Sequence, residues 1–564
     1  MIFGVVFLAR TSFTVAGQRY FSLFDDSMMS MRYARNLAHG HGLAWNATGH
    51  PVEGYSNFLW TLWMAFLHLF PFPESKISLA VSVSGLALLV VNLLLVRSLV
   101  AQLAPSSPRA RVIAMWLVAI YYPLAYWTLR GMEVGLLAVI GTAAALIAVR
   151  VSRSPRAGTG AVVGLGALLA LGLLTRDDFI IPAIIVVAWL AWRVQPTDRF
   201  KLVAILAAFV VGTVGAHTAF RVAYYGDWLP NTYYLKLAHI GLWTRLHRGV
   251  FGLVATGELE LWAPVAVAGV YLVARRRRVP PGAWLLAGLF VGACAYSAYV
   301  GGDAWESTQL ANRYLASQAT ALLVVAAMAI DYVVSAPAAV RSRILAAVAF
   351  IAIPVVVLRA PDLIPASNMQ LGRLPTEWWL TRVGTPLVVG AGLAALAWWT
   401  RPRSYVKPLA MATAIVVLVG LAMSTRELRW WGQHNAFLPD RETAVAGLAL
   451  AAVTQPNAVI ALAVAGGAGY FSDRPAVDLS GKSDRTVARE PPSFPVFVPG
   501  QDKQDLHYSL GKLRPDLVFS WPATQADAQI ESYGYDRVAP GAYVRHDSRL
   551  VDRMGLARIA TFNG

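Results

Sequence analysis

The sequence predicts an α-helical polytopic membrane protein with a small external α/β domain at its C-terminus, and three observations carry the prediction. Of 564 residues, 57% are hydrophobic and only 14% charged, whereas soluble domains carry roughly a quarter charged residues. Apolar runs long enough to cross a hydrocarbon core of about 30 Å recur along the chain. From residue 425 the composition turns to mixed charged sequence with Pro, Gly and short β-like runs such as Ala458 to Val464 and Asp516 to Ser520. This balance excludes a soluble fold, disorder and a collagen repeat, and the lone Cys294 excludes an intrachain disulfide. A net charge of +17 would suggest nucleic acid in a soluble protein. In a membrane protein basic residues mark cytoplasmic loops instead, so no nucleic-acid partner is expected. Seven lysines leave 48 − 7 = 41 arginines, a skew that points to a GC-rich, actinobacterial type of genome.

Taken in order, thirteen spans are expected near residues 1–18, 77–98, 112–128, 133–150, 159–175, 178–193, 202–222, 250–273, 281–300, 314–335, 344–358, 384–400 and 408–424. Arg10 interrupts the first, but no small-residue cleavage site precedes Phe21, so it is read as a span rather than a signal peptide. Basic clusters at Arg109/Arg111, Arg150/Arg153, Arg193/Lys201, Arg275 to Arg278, Arg341/Arg343 and Arg401/Lys407 fall in every second loop. Those loops are therefore assigned to the cytoplasm. Residues 21–76 become one long external loop, whose apolar segment 58–70, with Trp60 and Trp63, would lie along the interface. The domain division is 1–424 in the membrane and 425–564 outside it, with the chain in the cytoplasmic (inner) membrane and its site external.

With this topology the unusual polar strings all fall on the outer side: Phe24-Asp25-Asp26, Gly131-Met132-Glu133, Thr175-Arg176-Asp177-Asp178, Tyr224 to Lys236 and Gly301-Gly302-Asp303. Segregation of acids to one membrane face marks a site. In the first loop either Asp25 or Asp26 can cap the helix that follows. Capping needs one carboxylate, which leaves the other as a base for an acceptor hydroxyl. Arg32, Tyr33 and Asn36 are read as sharing a helical face with Asp26. Lys236, Arg32, Arg176 and Arg313 are the cations suited to a phosphate. With Glu53, Glu133, Asp178, Asp227, Asn231 and Asp303 they complete the expected substrate-binding set. His39 and His41 flank Gly40 without a Cys or HExxH partner, so the metal ligands stay unknown. No cofactor is assigned, and a divalent cation is left open. Phosphate-loop, dinucleotide and serine-hydrolase signatures are missing. External chemistry without ATP needs a preactivated substrate, and a lipid-linked phosphosugar provides one.

The string DD…RYARNLAHGHGLAWN…VEGYSNFLW, followed by GMEVGLL, LTRDDF, YYGDWLPNTYYLK, GGD and FSDRPAVDLSGKSD, resembles the GT-C superfamily of polyprenyl-phosphate-sugar glycosyltransferases. Within it the motif order is similar to the mycobacterial terminal β-(1→2)-arabinofuranosyltransferase group. The resemblance covers most of the chain. It implies a GT-C-like fold, an aspartate base at Asp25-Asp26, contributions from Glu133, Asp178 and Asp303, and a C-terminal domain of carbohydrate-binding type carrying Asp478. It also implies a polyprenyl-phosphate-sugar donor, an envelope glycan or glycolipid acceptor, and inversion, with arabinofuranose favoured over mannose. The chain departs from the group at Arg176-Asp177-Asp178, where Arg-Pro then an acid is usual, and in the late position of Arg313 after Gly-Gly-Asp. A flippase for lipid-linked saccharides and a noncatalytic envelope scaffold are the alternative readings. The flippase is disfavoured because the charges cluster at span ends instead of the midplane.

Overall fold

A computed structural model describes residues 2–154, 158–256, 261–306, 312–337, 438–519 and 527–561. Among the described residues five helices are long and apolar enough to cross a membrane: α4 (Glu74–Leu103), α7 (Val134–Arg153), α10 (Pro196–Tyr225), α14 (Pro281–Val300) and α15 (Arg313–Ser335). A pair of helices, α5 (Pro108–Ala119) and α6 (Tyr122–Leu129), is long and apolar enough only when taken together and is bent by 51° at its junction. The shorter α8 (Thr159–Thr175) and α9 (Ile180–Arg193) flank a 3₁₀ turn at Asp177–Phe179. Where a run 250–273 was expected, α12 (Leu242–Thr256) stops and α13 (Trp262–Ala274) begins, with 257–260 outside the described residues. The expected spans 344–358, 384–400 and 408–424 also lie outside them.

The first expected span is corrected. Helix α1 (Ile2–Arg10) ends at the charge, and β1 (Ser12–Val15) with β2 (Gln18–Phe21) forms an antiparallel hairpin. Its two-residue turn, Ala16-Gly17, has φ of 48° and 79°. That is the primed geometry whose twist matches paired strands.

The bundle core is apolar, with Val96, Leu165, Leu206, Leu286 and Val324 buried. One polar staple crosses it: Thr142 donates to Asn92 Oδ1 at 2.8 Å, and Asn92 Nδ2 donates to Thr320 Oγ1 at 3.1 Å, tying α7, α4 and α15. Inside a bilayer such groups must satisfy one another. At one end of the bundle Arg153 donates to the Gln102 carbonyl and Lys201 to Thr159, so the basic helix ends meet there. The acidic strings collect at the other. There α2 (Asp25–Ala38) and the shorter α3 (Phe58–His68) of the first long loop pack together.

The C-terminal region comprises α16 (Leu438–Val453), β3 (Ile460–Leu462), α17 (Gly467–Ser472), β4 (Ala476–Asp478), β5 (Leu517–Phe519), α18 (Asp527–Ser532), β6 (Tyr535–Ala539), β7 (Ala542–Arg545) and α19 (Arg553–Thr561). Its five strands are ordered β4-β3-β5-β7-β6, parallel on the β4-β3-β5 side and antiparallel through the β6–β7 hairpin. The expected α/β character is therefore present. The region is not separately packed: Ile460, Leu462, Leu517 and Val544 share one buried cluster with Met29, Tyr33 and Trp45 of the first loop.

Candidate active site

Helix α2 begins at the double aspartate, and the structure separates the two carboxylates. Neither caps its own helix, because the N-cap position, Phe24, has no side-chain acceptor. Asp440 of α16 supplies that acceptor, taking the Asp25 backbone N–H while pairing with the buried Arg130. Asp25 turns toward the C-terminal region, where Oδ1 accepts from the Gly466 and Gly467 N–H groups at 3.0 and 2.9 Å. A Cβ on Gly466 would lie 1.9 Å from the Asp25 carbonyl oxygen, so only glycine permits this approach. Burial pushes the Asp25 carboxyl up to about 6, against the opposing pull of Lys482 and the Gly467 N–H.

Asp26 faces a cleft. Arg313 Nη1 reaches its Oδ2 at 2.7 Å and Lys482 Nζ pairs with its Oδ1. Burial opposes the charge, but the two cations outweigh it and hold this carboxyl well below the usual range. Arg313 is itself oriented by Asp303, which accepts from Nε, Nη2 and the backbone N–H at 2.9–3.0 Å. The cleft encloses about 650 Å³, counting the space that opens to solvent, and is also lined by Asn57, Glu133, Arg176, Lys236 and Tyr314. Glu133 is held on one oxygen by Arg176 (3.1 Å) and on the other by Asn57 Nδ2 (3.1 Å). Arg176 also grips Asp178 with two bonds, 3.0 and 2.6 Å. Lys236 donates to Tyr314 Oη at 2.9 Å and makes no ion pair among the described residues. A smaller recess of about 330 Å³, lined by Leu137, Asp178, Phe179, Ile181 and Tyr296, meets the cleft at Tyr314.

Of the expected site residues, Asp26, Glu133, Arg176, Lys236 and Arg313 line the cleft, with Asp178 and Asp303 directly behind. The rest lie outside the cleft lining. Arg32 lies six residues past Asp26, which on a helix is roughly 120° away from its face. Its guanidinium donates to the carbonyls of Trp45 (2.6 Å), Gly469 (2.7 Å) and Arg474 (2.6 Å) and to Asn46 Oδ1 (2.9 Å), while stacking over the Trp45 ring. In this arrangement Arg32 brackets the first loop and the C-terminal region together. Asn36 holds the 44–45 turn through its Nδ2. Tyr33 donates from Oη to the Val52 carbonyl at 2.7 Å. Glu53 is buried against Arg221, which also binds Asp177 at 2.9 Å. Asp227 pairs with Arg485 and Arg489 at 2.9 and 2.7 Å. Asn231 clamps the carbonyls of Gly481, Lys482 and Asp484. No cluster of three or more His, Cys, Asp or Glu side chains is arranged for a metal among the described residues. Lys482, Asn57, Tyr314 and Asp440 were not expected. Lys482 alone had a signal, as a scarce lysine in an Arg-rich chain inside the Gly-Lys-Ser turn.

The chain as a whole superposes on the crystal structure of ArnT from Cupriavidus metallidurans bound to undecaprenyl phosphate, with a TM-score of 0.52 over 98% of each chain at 15% identity. The fold is GT-C. At that identity the likeness is one of fold. The apo form of the same ArnT (TM-score 0.48, 16% identity, 84% of this chain and 83% of that one) is a weaker match. So is the apo oligosaccharyltransferase of Archaeoglobus fulgidus (0.42, 13%, 85% and 63%). Residues 431–558 match a family model described as a domain of unknown function, DUF8728. No curated protein matches the sequence.

Proposed function

We propose that this GT-C protein is a multi-pass glycosyltransferase that moves a sugar from a polyprenyl-phosphate donor to an envelope glycan or glycolipid on the external side of the inner membrane. Arabinofuranose is the favoured sugar. The observation that carries the reading is Asp26, a carboxylate at the edge of a cleft that also holds Arg176, Lys236, Arg313 and Lys482. The ArnT structure contains undecaprenyl phosphate, a lipid of the class proposed here as carrier.

In the proposed step an Asp26 oxygen takes the proton of an acceptor hydroxyl, the hydroxyl oxygen bonds to the anomeric carbon, and the carbon–oxygen bond to phosphate breaks. The electron pair leaves with the polyprenyl phosphate, and inversion follows from direct displacement. Lys236 is suited to the leaving phosphate because no carboxylate among the described residues holds it, and charge developing on the departing oxygen strengthens that contact in the transition state. A carboxylate held by two cations is ionised but weakly basic. A donor phosphate drawing Arg313 and Lys482 toward itself would return basicity to Asp26 when the acceptor is in place. The recess beyond Tyr314 offers a largely apolar lining for the start of the prenyl chain. Incubating the purified protein with a panel of polyprenyl-phosphate sugars and envelope-glycan acceptors tests the reading. One donor should be consumed with release of polyprenyl phosphate, and consumption of none would overturn it.

A further inference from the structure

The lysine that touches Asp26 arrives from 456 residues downstream, on a loop whose conformation is heavily determined. Asp478 at the end of β4 folds the loop back on itself: its Oδ1 accepts from Ser480 N at 3.0 Å and its Oδ2 from Ser483 N at 2.6 Å. Gly481 supplies the left-handed residue, with φ of 79°. Partners from the membrane body then fix it in place. Asn231 Nδ2 lies 2.8, 2.9 and 3.1 Å from the carbonyls of Gly481, Lys482 and Asp484, and Tyr33 Oη contacts Ser483 Oγ at 3.1 Å. Gly54 lies so close that a Cβ would be 2.8 Å from the Lys482 carbonyl oxygen. The loop is thus built into the cleft wall, and only 15% of the Lys482 side chain is exposed.

We propose that Lys482 is a positioning residue for Asp26, delivered by the C-terminal region, which keeps the carboxylate ionised and aimed into the cleft and without which the membrane body holds an incomplete site. The inference rests on the reading of Asp26 as the base. The charged groups around Asp26 are Lys482 and Arg313 in contact, Asp25 beside it on α2, Asp303 behind Arg313, and Glu133, Arg176 and Lys236 elsewhere on the cleft wall. Removing Lys482 leaves one contacting cation, so protonation of Asp26 should become easier. An opposite charge at this range moves an aspartate by roughly one to three pH units.

Two measurements on the full-length protein test this without needing the donor. A water-soluble carbodiimide activates a carboxyl group, and an amine already in contact displaces the urea to leave an amide. In the wild type it should join Asp26 to Lys482, seen as a cross-linked peptide pair by mass spectrometry. With glycine ethyl ester as added amine, the pH midpoint of Asp26 amidation should rise by roughly one to three units in Lys482→Met. It should stay near wild type in Lys482→Arg, which keeps the charge. Fragment ions separate Asp26 from Asp25. Asn231→Ala, which loosens the loop while leaving the lysine side chain in place, should move the midpoint the same way and decides the matter if Lys482→Met does not fold. A purely structural lysine would lower thermal stability and leave the midpoint unchanged. That unchanged midpoint, or a missing cross-link, overturns the proposal. If the wild type turns over no donor, the transfer reading fails, while cross-link and midpoint still decide the role of Lys482.

Discussion

Asp25→Asn separates the two neighbouring aspartates. In the structure Asp25 is a buried acceptor for two backbone N–H groups and faces away from the cleft. Its folded pKa, about 6 against 3.8, is raised by about two units, or ~3 kcal/mol. The sign follows from linkage: a carboxyl with a raised folded pKa favours the fold when protonated. Its penalty is absent below about pH 4, grows as pH rises through 6, and is complete above that. Asparagine keeps the accepting oxygen and removes the buried charge. At pH 7.5 the variant should be at least as stable as wild type, by up to ~3 kcal/mol, and at pH 4.5 the two should be close. Asp25→Ala leaves both glycine N–H groups unpaired and should lose about 1–3 kcal/mol at pH 4.5, a loss that removal of the buried charge offsets at pH 7.5. Thermal unfolding of the detergent-solubilised protein at the two pH values, run beside a transfer assay, measures both. A folded Asp25→Asn protein without transfer activity would make Asp25 the base. A variant less stable than wild type at pH 7.5 would refute the electrostatic reasoning.

Arg32→Lys should lose several of four hydrogen bonds that a single ammonium cannot reproduce. Thermal unfolding should show a loss of about 1–3 kcal/mol while kcat of the folded fraction stays near wild type; a normal melting temperature with lowered kcat would return Arg32 to the phosphate. Gly54→Ala places a methyl 2.3 Å from Ser483 Oγ and should cost about 1–3 kcal/mol while loosening the 480–484 loop, read as faster proteolysis there. For topology, in a Cys294→Ala background, cysteine at the exposed Thr486 should react with an impermeant reagent added outside intact cells and cysteine at the exposed Ser154 should not. The reverse labelling would place the cleft inside.

The membrane body was legible in sequence because α4, α7, α10, α14 and α15 each present an apolar run of spanning length, and the acid-rich strings sit at their ends. Where a run mixed signals the reading failed. Residues 1–18 have the composition of a span, yet Arg10 ends the helix and Ala16-Gly17 turns a hairpin, since β-branched and aromatic residues suit a strand as well as a membrane helix. Within the site, Asp26, Glu133, Arg176, Lys236 and Arg313 were readable as charged residues at helix ends. Lys482 and Asp440 were not, because their partners lie more than 300 residues away and no local pattern encodes such pairing. Arg32 and Asp227 were read as substrate-binding for the same reason: charge marks a residue as important without saying whether it holds substrate or another part of the chain.

The central claim is that Asp26 removes the acceptor proton during transfer from a polyprenyl-phosphate sugar. Its most direct test is the single-turnover rate of polyprenyl-phosphate release in Asp26→Asn, with donor binding and thermal unfolding measured on the same preparation. General-base catalysis contributes about 10²- to 10⁴-fold, so the rate should fall at least 100-fold while donor still binds and the protein stays folded. A folded Asp26→Asn protein that releases polyprenyl phosphate at the wild-type rate would contradict the account.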